Sequence, residues 1–124
     1  MGWGLARTAA AVFGVVYLLI GLVGFIIETP LFGLFPVSAL HNVVHIVLGA
    51  VLLYGAMSTS AAIMTTRVVG AILLVIGILG FFVAEPLGEG VLPIGGNDVW
   101  LHLASGVILL AVGFFMTSAE PSAA

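Results

Sequence analysis

The 124-residue chain is 63% hydrophobic and 6% charged, with two basic and five acidic residues and a formal net charge of -3. A water-soluble domain carries charge on roughly a quarter of its residues, so lipid has to solvate this surface and the chain reads as an integral membrane protein. Two scattered arginines exclude nucleic acid as a partner, and the absence of cysteine removes disulfides, thiolate metal sites and cysteine nucleophiles.

Residues 5–27, interrupted only by Arg7 and Thr8, have the length of about 20 apolar residues that a bilayer crossing needs. They predict helix one. Glu28-Thr29-Pro30 follows, in place of the small residues of a signal-peptide cleavage site. Pro30, Gly33 and Pro36 predict a loop, and Ser38 an N-cap for a second span over about 39–57. Ser58-Thr59-Ser60 reads as a turn, about 66–84 as the third span, 85–90 as a break, and about 97–116 as the fourth. Residues 117–124 are small and polar and read as a disordered tail. Trp3 and Trp100 sit near span ends, where aromatic rings anchor helices at the membrane interface.

The chain repeats itself. Val12, Gly14, Leu18, Gly21 and Gly24 recur, in the same order and at the same spacing, as Val68, Gly70, Leu74, Gly77 and Gly80. With the offset longer by a single position, Glu28, Pro36, His45, Gly49 and Leu53 recur as Glu85, Pro93, His102, Gly106 and Leu110. The chain therefore reads as a duplicated helical hairpin, repeat one over about 5–57 and repeat two over about 61–116, within a single transmembrane domain. Each unit crosses twice, so the repeats are parallel and the predicted fold is an all-α, four-helix transmembrane bundle. Arg7 and Arg67 begin the first helix of each repeat, and the positive-inside rule puts both, and both termini, in the cytoplasm. Glu28, His41, His45, Glu85, Glu89, Asp98 and His102 then gather at the outer interface.

Small residues at helical spacing let backbones approach closely in lipid. Gly14, Gly21 and Gly24 form such a stripe in helix one, and Gly70, Gly77 and Gly80 repeat it in helix three. No strand or Gly-Lys-Ser accompanies them, as a phosphate loop would require. Gly49 shares a stripe with His41 and His45, and Gly106 shares one with Asp98 and His102, so the histidines belong to the face that turns inward.

Two roles follow for these polar groups. As glue between helices, Glu28 would pair with His45 and Glu85 with His102, while Asn42, Asn97 and Asp98 would satisfy helix-start N–H groups and the helix dipole. As a binding site, the symmetry-related His45 and His102 would coordinate a divalent metal, a haem iron or a chlorophyll magnesium, with His41, Asp98 or Glu85 as further ligands. His41 and His45 have the i, i+4 spacing that puts both rings on one helix face. The residues do not say which metal or cofactor. The middles of the spans carry no charge for a proton path to use, and no serine sits in a Gly-x-Ser-x-Gly elbow. An enzyme is not expected.

The run from Phe13 to Gly21, the run from Gly33 to Gly49 with its Asn42-x-x-His45, and Asn97-Asp98-x-x-x-His102 resemble a bacterial family of small four-helix membrane proteins classified only as a domain of unknown function. The resemblance covers nearly the whole chain and implies an integral protein of the bacterial plasma membrane with paired hairpins; it brings no activity, substrate or cofactor. The role expected is that of a structural or accessory subunit whose helices dock, through lipid, onto another integral membrane protein or a second copy. The alternative is a small module binding a metal, haem or pigment through His45 and His102 near the outer interface.

Overall fold

The computed structural model describes residues 4–27, 30, 33–35 and 37–116. Among them the fold is all-helical: α1 (Leu5–Gly24), α2 (Ala39–Gly55), α3 (Thr59–Phe82) and α4 (Asn97–Phe115). Three of these, α1, α3 and α4, are long and apolar enough to cross a membrane. The apolar α2 has 17 residues, about 26 Å at about 1.5 Å per residue. Large apolar side chains stand exposed on every helix, Leu19, Val47, Val75 and Phe115 among them, as lipid-solvated helices require.

The spans differ from expectation chiefly at one turn. Ser58 is the N-cap of α3 and accepts the Ala61 N–H at 3.2 Å, so the helix starts at Thr59, well before the predicted start at Thr66. Polar side chains further along are satisfied inside the helix: the Thr66 hydroxyl donates to the Ala62 carbonyl at 2.8 Å, and Thr65 donates to the same carbonyl at 3.3 Å. Helix α1 ends at Gly24 rather than at residue 27, and α2 at Gly55 rather than at 57. The predicted tail, and Trp3, lie outside the described residues.

The helices pair as antiparallel hairpins, α1 on α2 and α3 on α4, and glycines set how closely. A Cβ on Gly49 would stand 2.5 Å from the Leu18 nitrogen and 2.7 Å from the Gly14 carbonyl oxygen. In the other hairpin a Cβ on Gly106 would stand 2.7 Å from the Leu74 nitrogen and 2.9 Å from the Gly70 oxygen. The two crossings use residues 56 or 57 positions apart in the chain: Gly49 and Gly106, Leu18 and Leu74, Gly14 and Gly70. Gly21 lies against Asn42 and Ile46, Gly24 against Asn42, Gly77 against Leu103, and Gly80 against Ile94 and Val99. The core between the hairpins is filled by Tyr17, Leu52, Val69, Leu73 and Leu109, all fully buried.

The two ends of the bundle are built differently. At one end the Arg7 guanidinium Nε donates to the Ala56 carbonyl, and the Arg67 Nε donates to the Gly113 carbonyl, each at 2.8 Å. Both arginines thus serve carbonyls at helix C-termini, where a cation also meets the negative end of the dipole. Arg67 lies over the Phe114 ring as well, 4.3 Å from its centroid. The other end holds the histidines.

Candidate functional site

Helix α2 begins at Ser38, whose hydroxyl oxygen accepts the His41 N–H at 3.1 Å and donates to the Val91 carbonyl at 2.6 Å. That second bond fastens the loop between α3 and α4 to the start of α2. Asn97 makes a similar bond in the other direction, its amide donating to the Leu34 carbonyl at 3.0 Å. The two loops are thereby tied across the hairpins. Beneath them, the first turns of α2 and α4 carry His41, His45, Asp98 and His102 into the core, all of them buried.

The three imidazoles converge. Ring centroids are 4.3 Å apart for His41 and His45, and 6.0 Å for His102 to either of them. One ligating nitrogen from each ring falls within 4.8 Å of the others. Asp98 stands behind His41, with its Oδ2 at 3.6 Å from His41 Nε2, too long for a hydrogen bond. The sequence offset that lays His45 on His102 also lays His41 on Asp98, so the cluster is two pairs of positions with the same spacing facing one another. Matching residue types in the repeat reveals only the first pair. The second joins unlike residues at equivalent positions, and the same offset identifies it.

A small cavity of about 20 Å³ lies among the rings, closed by Leu73 and Ile76 of α3 and by Leu92 and Ile94 of the loop. That is room for one ion or one water molecule, and a porphyrin has no place in it. The polar atoms at this end of the bundle are unusually bare. Among the described residues, seven buried side-chain atoms have no hydrogen-bond partner: His41 Nδ1, both ring nitrogens of His45, His102 Nδ1, both Asp98 oxygens and Asn42 Oδ1. All seven belong to this end of the bundle. Each such group costs about 1–3 kcal/mol when left unsatisfied, so a cluster of them calls for a bound species.

The expected helix-to-helix pairs are not what the structure contains. The Glu85 carboxylate accepts the Gly90 N–H at 2.7 Å and closes its own loop, so it does not reach His102. Glu28 lies outside the described residues, and with it the expected pair with His45. Asn42 caps nothing; its side chain is buried against Gly24. Asp98 occupies the first turn of α4, where the dipole favours a carboxylate, but the N-cap is Gly96, which makes no side-chain cap. Gly96 has φ +64, a left-handed conformation that suits glycine.

Tyr17 is a site residue that sequence reasoning does not single out. Its ring meets His45 edge-on at 5.3 Å, and its hydroxyl donates to Ser105 Oγ at 3.0 Å. This buried bond joins α1 to α4 just below the histidines. Tyr17→Phe is expected to lower stability by about 1 kcal/mol, the typical worth of such a bond, as read from the denaturation midpoint in mild detergent. The signal in the sequence is faint, a lone tyrosine in a hydrocarbon run whose counterpart in the second repeat is Leu73.

No curated protein and no solved structure matches this chain. A family model, however, covers residues 7–115, almost the entire described bundle including all three histidines and Asp98. The chain belongs to the family described as a domain of unknown function, DUF4383.

Proposed function

We propose that the protein is a small membrane-embedded metal-binding module that holds one transition-metal ion between its two hairpins through His41, His45 and His102. The observation that carries this reading is the convergence of three buried imidazoles, each with an unpartnered nitrogen, beside a cavity large enough for a single ion. Three neutral imidazoles are a common ligand set for zinc and similar ions, which also accept a fourth ligand such as water. In a tetrahedral site with metal–nitrogen distances of about 2.0–2.1 Å, the nitrogens lie about 3.3 Å apart. Spacings of up to 4.8 Å therefore close by at most about 1.5 Å, within reach of side-chain rotation.

The setting favours retention over catalysis. Leu92 and Ile94 line the cavity beside the histidines, and its volume of about 20 Å³ has room for one ion or one water molecule. With Arg7 and Arg67 on the cytoplasmic side of a bacterial plasma membrane, the ion lies near the outer surface. Docking onto a larger membrane complex, the other role expected from the sequence, draws on exposed apolar faces that lipid covers equally well. The buried histidines are what separate the two readings.

The test is the metal content of the full chain, extracted in mild detergent without chelators and purified through a tag that contains no histidine. Plasma mass spectrometry is expected to find close to one transition-metal ion per chain after gel filtration. The His45→Ala, His102→Ala double variant is expected to have lost it. Equal, trace metal in both proteins would remove the reading and return the cluster to a structural role with bound water.

A further inference from the structure

Resting on that reading, we infer that the resident ion is divalent, of the zinc type, and that Asp98 is the residue that selects it over monovalent copper. The first support is the ligand chemistry. Monovalent copper is favoured by thiolate and thioether sulfur, and the chain has no cysteine. Met57 follows the C-terminus of α2, Met64 lies in the first turns of α3 and Met116 follows α4, so all three belong to the arginine end of the bundle. Among the described residues the site therefore offers nitrogen and oxygen and no sulfur.

The second support is charge. Asp98 is completely buried, and neither of its oxygens has a hydrogen-bond partner. Arg7 and Arg67 are committed to carbonyls at the other end. Among the described residues, His41 Nε2 stands 3.6 Å from Asp98 Oδ2. With Nε2 turned to Asp98, Nδ1 of the same ring is left for the ion, and it has no other partner. Shortening of the 3.6 Å gap to hydrogen-bond length would give the carboxylate–histidine–metal arrangement, in which an outer carboxylate fixes the ring and raises its basicity. Three neutral rings and one carboxylate leave a divalent ion with a net charge of plus one, which a bound hydroxide can cancel. The same carboxylate would already neutralise a monovalent ion. At a given distance a divalent ion is attracted by the Asp98 carboxylate twice as strongly as a monovalent one.

Asp98 is thus a positioning residue acting through His41, and selectivity is the readout that a purely structural role would not move. The full chain, stripped with a chelator in detergent, is titrated with zinc against a zinc-chelating indicator. A parallel titration uses copper held monovalent by ascorbate against a copper(I) indicator. The wild-type protein is expected to bind zinc more tightly than monovalent copper. Asp98→Asn is expected to weaken zinc by about 10–100-fold while leaving copper unchanged, and Asp98→Glu to recover part of the loss. Wild-type protein that prefers monovalent copper overturns the inference whether or not the variants fold. Equal loss of both metals in Asp98→Asn, or of neither, also overturns it. If the wild-type chain binds no metal at all, the proposed function itself fails.

Discussion

Replacing His45 with leucine is expected to stabilise the metal-free protein, by about 1–3 kcal/mol, and to abolish the stabilisation that zinc gives the wild type. The sign follows from hydrogen bonding. Both ring nitrogens of His45 are buried without a partner, and each such atom costs about 1–3 kcal/mol while the site is empty. Leucine removes both atoms and keeps an apolar body in their place. The lost edge contact with Tyr17 gives back about 0.5–1.5 kcal/mol and leaves the balance favourable. Added zinc reverses the order: at about 100 times its dissociation constant an ion bound only to the folded state contributes about 2.7 kcal/mol, and the variant has lost a ligand. The check is unfolding in mild detergent, followed by circular dichroism, for both proteins with excess chelator and with zinc. A crossing of the two stabilities is expected. A histidine that served only to join helices would make the variant weaker under both conditions, with no response to zinc.

Much of this arrangement is legible in the sequence, and the parts that are not share a physical cause. Composition identifies lipid as the solvent, and apolar run length locates the helices, because a bilayer imposes both. The sequence match between the two halves relates His45 to His102, and the close glycine contacts recur at the matched positions. Partner choice is what the pattern does not hold. Glu85 has the polarity and the repeat position to face His102, but a carboxylate shortly before a glycine with φ +75 can close its own loop, and it does. The start of α3 escapes for a related reason. Ser58-Thr59-Ser60 has the composition of a turn, yet a serine that caps the first N–H groups is equally at home at the start of a helix. Leu92 and Ile94 leave no trace in the pattern, since where a loop residue packs depends on where the loop is tied. Here Ser38 and Asn97 tie it.

The second large effect is expected at a position that touches no polar side chain. Gly49→Ala should cost about 1–3 kcal/mol of stability and weaken metal binding with it. A helical alanine is ordinarily favoured over glycine by about 1 kcal/mol, so in an open setting the substitution would help. At Gly49 the new methyl carbon meets backbone, the Leu18 nitrogen at 2.5 Å, the Gly14 oxygen at 2.7 Å and Leu18 Cα at 2.9 Å. Backbone cannot rotate aside, so α2 has to move away from α1. In lipid that separation is costly, because close packing is what holds helices together where no hydrophobic force does. His45 lies one turn before Gly49 and His41 two turns before it, on the same face, so both ligands move with the helix while His102 stays on α4. Val47→Ala provides the control, since Val47 is 53% exposed on the lipid side and its truncation leaves the crossing intact. Unfolding midpoints and zinc affinity measured on both variants are expected to fall together for Gly49→Ala and to stay at wild-type values for Val47→Ala. Loss of stability with unaltered zinc affinity would mean that the histidines are held by the loop bonds at their own end, independently of the helix crossing.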